Sequence, residues 1–266
     1  DCVIGHDMAD LLDTRMIDAP RLLVLHDTLE GYLARRGSRV EPRDMRAVLN
    51  GCLATVAGHA VAVSRSRARS WGVTHLVLPN SADPDAYLPY VGDVACGLRV
   101  VDEATVKRGE HAWAFHERAM DGLPLRIVGH APDLRGVAAA DDWHHLKRML
   151  ASHRFVVHTT DPRYEDGYDL AVLEAMAAGV PVLTNRNATT IVQHGVTGFV
   201  SETPDEMRAH AQKLLADEGL AREIGANARA YVARHHSPER FRAEFPMAVQ
   251  EARKKWSRRV GRVGRG

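Results

Sequence analysis

Residues 154–183 read RFVVHTTDPRYEDGYDLAVLEAMAAGVPVL. The stretch divides into an apolar run (Phe155–His158), a polar loop (Thr159–Asp169), a helical segment (Leu170–Ala178), a glycine turn at Gly179 and a second apolar run (Val180–Leu183). Apolar runs that do not alternate cleanly suit strands buried on both faces of a parallel sheet. Strand, crossover helix, strand is the repeating unit of such a sheet. The pattern continues outward. Candidate strands are Cys2–Gly5, Leu22–Leu25, Ala60–Val63, Leu76–Leu78, Gly97–Val101, Leu125–Val128 and Gly198–Val200, with helix-length segments at Ala112–Met120, Trp143–Leu150 and Pro204–Ala216. This alternation predicts an α/β chain with doubly wound parallel sheets.

The same stretch carries the chemistry. A loop that follows a buried parallel strand opens at the carboxyl edge of its sheet, where ligands bind in open α/β folds. The next helix presents backbone N–H groups around Gly167, Tyr168, Asp169 and Leu170, and those donors suit a phosphate or diphosphate. Glu174 lies about one turn into that helix, where a carboxylate can accept hydrogen bonds from a sugar diol. Asp166 lies eight residues earlier, on the loop, and can reach another part of the same ligand.

Composition narrows the classes. The chain has 266 residues, 45% of them hydrophobic and 26% charged, with a net charge of +1, which excludes disordered and collagen-like chains and offers no global basic field for nucleic acid. Cys2, Cys52 and Cys96 are far apart and form neither a Cys-x-x-Cys pair nor an even framework, so reduced thiols and a cytoplasmic setting are expected. Asp83-Pro84-Asp85 spells an acidic pair of the kind that holds a metal in other proteins, but its turn-rich setting reads as a linker. The adjacent pairs His144-His145 and His235-His236 face apart on a helix, so no metal site is expected. Glu251 to Gly266 is rich in Arg and Lys and reads as a basic tail, with peripheral contact to an anionic membrane as the sharper alternative to a solvated one.

Leu173-Glu174-Ala175-Met176-Ala177-Ala178-Gly179-Val180-Pro181-Val182, with Asp166 eight residues before Glu174, resembles the donor-binding signature of group 1 (family 4-like) retaining glycosyltransferases of the GT-B fold. The first half departs from that signature twice. Asp166 stands where Glu is usual, with Glu165 one residue away as the alternative, and Asp169 stands where a second Gly is usual, in a position to cap the helix. Leu76–Asp83 is similar to the family's interdomain strand and linker, Leu125–Gly129 to a donor-domain strand, Ile191–Val200 to the turn under the nucleotide, and Phe241–Trp256 to the last helix.

The resemblance implies two Rossmann-like domains. A partial, N-terminally truncated acceptor-side domain would span residues 1–79, a nucleotide-sugar donor domain 80–245, and a helix end with its basic tail 246–266. It implies a hexosyltransferase that moves a hexose from a nucleotide-diphosphate sugar to a hydroxyl acceptor, such as a saccharide or lipid-linked glycan, with retention, without metal and without a further cofactor. Glu174 would hold the ribose and Asp166 the donor sugar. Lys107 and Arg108 would neutralise the departing diphosphate together with amides near Gly167 and Tyr168. His26, at a strand end, would face the sugar. The rival expectation is a nucleotide-sugar-binding module, inactive alone because its acceptor domain is incomplete.

Overall fold

The computed structural model describes residues 1–73, 76–102, 112–131, 134–164, 168–187 and 189–263, with only the backbone described at 102 and 261–263. Two compact units divide the chain: residues 1–80 with 239–266, and residues 81–238.

The first unit contains β1 (Val3–Gly5), α1 (Met8–Asp13), β2 (Arg21–Leu25), α2 (Leu29–Arg35), α3 (Pro42–Val56), β3 (His59–Ala62) and α4 (Arg65–Trp71). Its strands form a parallel sheet in the order β1-β2-β3. Every residue of β2 and β3 is buried, as the unbroken apolar runs require. Leu23, Leu25, Leu49, Leu53 and Trp71 form one core beneath the helices. The stretch Leu76–Leu78, expected as a strand, contributes only a single bridge, from Val77 to Ala62.

The second unit contains β4 (Val94–Asp102), α5 (Trp113–Met120), β5 (Leu125–His130), α6 (Trp143–Ser152), β6 (His153–His158), α7 (Leu170–Ala177), β7 (Val182–Asn185), β8 (Gly198–Ser201), α8 (Pro204–Ala216) and α9 (Glu218–His235). Its five parallel strands lie in the order β5-β4-β6-β7-β8. Alternate residues of β6 feed opposite faces. Val156 joins Leu173, Met176 and Met149 on one side, and Phe155 and Val157 join Met120, Met207 and Leu214 on the other. Leu173 and Met176 are fully buried, so truncating either to Ala should cost about 2–5 kcal/mol.

Strand order places the site. The chain leaves β4 for β5 on one side, then crosses to β6 on the other. The crevice at the carboxyl ends of β4 and β6 is therefore the topological switch point, where open α/β sheets bind ligands. The segment with Lys107 and Arg108 follows β4, and the segment with Asp166 and Gly167 follows β6.

The C-terminal stretch read as a basic tail is helical as far as Val263. The last helix, α10, runs unbroken from Pro238 to Val263, and its Ala248 and Ala252 are completely buried. Those two positions are four apart on one face of the helix. The apolar face, invisible to a charge count, keeps the segment ordered.

Candidate functional site

The residues after β6 are locked before the loop begins. The Asn185 side chain accepts a hydrogen bond from the Thr160 amide and donates one to the Thr160 carbonyl, both at 2.8 Å. This pair ties the carboxyl ends of β6 and β7 together. Asp169 then caps α7, its carboxylate accepting from the Ala171 amide at 2.7 Å. The first-turn amides of α7 have no intrahelical acceptor. Asp169 takes that of Ala171, and the helix start lies at the carboxyl edge because α7 follows β6. Gly179, in the left-handed region at φ 79°, ends the helix, and Pro181 follows it.

Glu174 is half-buried on the second turn of α7, and no described residue donates a hydrogen bond to its carboxylate. Burial raises its pKa first, and the negative charge of Asp169 raises it further. A carboxylate partly removed from water and given no donor by the described residues is destabilising in the free protein. That is the expected state of a group whose partner is a ligand hydroxyl.

Three groups around this corner escaped the sequence reading. Arg99, in the middle of β4, is 2% exposed; it donates to the Thr159 hydroxyl at 3.0 Å and lies 4.7 Å over the Trp113 ring. Burial lowers its pKa to about 9, so it still carries its charge at neutral pH. That contact joins β4 to the end of β6, across the switch point. An arginine inside the run Leu98-Arg99-Val100-Val101 was the available signal, because charges are rare in strands buried on both faces. His158, at the end of β6, lies 4.0 Å from Asp169, and burial pushes its pKa down, with Arg99 also opposing protonation. The third group is aromatic. Tyr87 meets Trp143 edge-on at 5.9 Å between ring centroids, with Lys147 5.2 Å from the Trp143 ring. Tyr87 is close enough to Glu174 for that carboxylate, after burial, to raise its phenol pKa. Trp143 opens α6 and is 44% exposed.

Of the residues expected to hold the donor, Lys107, Arg108, Asp166 and Gly167 lie outside the described residues. Tyr168 is buried, its hydroxyl 3.3 Å from Nδ1 of His236. Its side chain therefore belongs to the core, and its place in a donor site would fall to its amide. Leu170 is exposed at the first position of α7.

In the first unit, His26 follows β2 and His6 follows β1, so both stand at the carboxyl edge of that sheet. Nδ1 of His6 lies 2.8 Å from Nε2 of His26. Burial and the His6 charge both lower the His26 pKa. The Asp83-Pro84-Asp85 triplet is structural: Asp83 accepts from the Asp85 amide at 3.0 Å, and Asp85 pairs with Arg229 at 3.1 Å. Among the described residues no group of three or more His, Cys, Asp or Glu is placed to hold a metal ion.

A glycosyl transferase-like family profile matches residues 108–245. The chain belongs to that family. A Xenopus tropicalis protein named glycosyltransferase 1 domain-containing protein 1 is 37% identical over 169 residues, covering 63% of this chain and 42% of that protein. The N-acetyl-alpha-D-glucosaminyl L-malate synthase of Bacillus anthracis is 38% identical over 84 residues, 30% of this chain and 21% of that protein. The chain thus spans less than half the length of either curated relative. Among solved structures, Anabaena HepE in complex with UDP and glucose superposes with a TM-score of 0.73 at 15% identity, covering 94% of this chain and 77% of that one. The fold is that of GT-B glycosyltransferases.

Proposed function

We propose that the chain carries the donor site of a retaining, metal-independent hexosyltransferase that takes its sugar from a nucleoside diphosphate. The observation that carries this reading is the Glu174 carboxylate: half-buried, without a donor among the described residues, one turn inside the helix that opens at the switch point. Glu174 accepts the ribose hydroxyls. The Leu170 and Val172 amides, with Lys107 and Arg108, meet the diphosphate, and the buried Arg99 charge adds positive potential behind them. Asp166 holds the donor sugar. The exposed face of Trp143 offers a stacking surface for the base. In the first unit, His26 meets sugar hydroxyls at the carboxyl edge of its own sheet.

The bond from the anomeric carbon to the leaving phosphate oxygen breaks, and the acceptor oxygen bonds to that carbon on the same face. The acceptor proton passes to the leaving phosphate, so no protein nucleophile is needed. The acceptor class is a saccharide or lipid-linked glycan. The HepE complex makes UDP the first nucleotide to try. Calorimetry with UDP and GDP tests the site, and absence of binding by both at millimolar concentration would overturn it. Turnover of a nucleotide sugar with candidate acceptors then separates a transferase from a nucleotide-sugar-binding module that is inactive alone.

A further inference from the structure

The last turns of α10 carry a surface that the donor site does not use. Its buried stripe, Ala248 and Ala252, continues at four-residue spacing to the half-buried Trp256 and then to Val260, which is 47% exposed. The stripe therefore runs on past the part of the unit that covers it. Met16 and Ile17, on the connection between α1 and β2, face the same end. Together with Trp256 and Val260 they line a cleft of ≈ 490 Å³, and Met16 is 85% exposed. A second cleft, of ≈ 520 Å³, opens beside α3 and is lined by Lys255, Arg258 and Arg259. Arg259 lines both.

The positive charges crowd one another. Burial first and then the charge of Arg259 lower the pKa of Arg21, and burial and then Lys255 lower that of His59, with Asp18 and Glu251 acting the other way. Asp18 lines the first cleft, and Glu251 bonds Lys254 at 2.7 Å, so the nearby acids offset only part of this charge.

We propose that this end of the first unit rests on an anionic lipid bilayer. The cations would meet lipid phosphates, while Met16, Ile17 and Val260 would enter the headgroup boundary with Trp256 at the interface. A polyanion such as RNA would use the cations but gives the exposed aliphatic side chains no reward. A second copy of the chain would set like charge against like charge. No helix among the described residues is long and apolar enough to cross a membrane. The proposal is independent of the donor-site reading, because it uses none of those residues.

The test is co-sedimentation of the whole chain with phosphatidylcholine vesicles, with and without phosphatidylglycerol, beside three variants. Wild type should bind only the anionic vesicles. Lys255→Ser, Arg258→Ser and Arg259→Ser combined should weaken binding by roughly fivefold per cation removed. Met16→Ser with Ile17→Ser, both exposed and so compatible with folding, should weaken it roughly tenfold at unchanged charge. Brominated lipid should quench tryptophan emission in wild type and do so much less in Trp256→Phe. The idea fails if wild type binds neither vesicle, or binds both equally. It also fails if Met16→Ser with Ile17→Ser binds like wild type and RNA displaces the vesicles, which would mark a charge contact alone. A stable dimer in solution that ignores vesicles would also overturn it.

Discussion

Replacing Glu174 by Gln should make the protein more stable and a poorer binder of nucleotide. The amide matches the carboxylate in shape, so packing on α7 is kept. What disappears is a half-buried charge that no described residue solvates and that Asp169 repels. A buried polar group without a partner costs about 1–3 kcal/mol. Partial exposure places Glu174 at the low end, so the gain should be about 1 kcal/mol, or about 2–4 °C in Tm for a domain of this size. The pH dependence has a definite sign. The folded pKa is raised above the unfolded value of about 4.3, so ionisation works against the folded state. The advantage of Gln should be absent below the unfolded value, grow as pH rises toward the folded one, and stay constant above it. Binding should move the other way. A hydrogen bond to a charged acceptor contributes about 1.5–3 kcal/mol, so UDP affinity should fall about 10- to 150-fold. Denaturant melts at pH 4 and pH 7, with calorimetry on the same samples, read both effects. A less stable variant, or one that binds UDP like wild type, would refute the assignment of Glu174 to a ligand.

Trp143→Ala should weaken UDP roughly tenfold, the scale of base–aromatic stacking, with Trp143→Phe restoring most of it and ribose 5-diphosphate bound equally by all three. The buried His116, whose pKa burial and Arg99 depress to about 2, stays neutral in the folded state, so stability should be lost as pH falls below the unfolded value near 6.5. At pH 5 that loss is about 2 kcal/mol from this residue, and urea unfolding of His116→Phe should show correspondingly less acid sensitivity. Gly225, in α9, has room for no side chain, because an added Cβ would sit 2.0 Å from the Gly179 carbonyl oxygen. Gly225→Ala should therefore push α9 away from the end of α7 and lower Tm by several degrees, a shift that a thermal melt detects directly.

Periodicity alone established the parallel α/β architecture, because strands buried on both faces leave unbroken apolar runs, and β2, β3 and β6 show them. It also located α7 and Glu174, since capping residue, apolar run, glycine stop and proline are all local signals in residues 169–181. Strand order came only from the tertiary structure. Nothing local says that β4 lies between β5 and β6, yet that arrangement makes the switch point and brings Arg99 to Thr159, 60 positions away along the chain. The Tyr87–Trp143 pair beside Glu174 is likewise long-range. The C-terminal helix shows the same limit. The resemblance placed a last helix at Phe241–Trp256, but the charges beyond Glu251 suggest solvent, and only the structure carries that helix on to Val263. Sequence spacing reports which side chains share a face of one element, whereas which elements meet depends on how buried faces are shared across the whole chain.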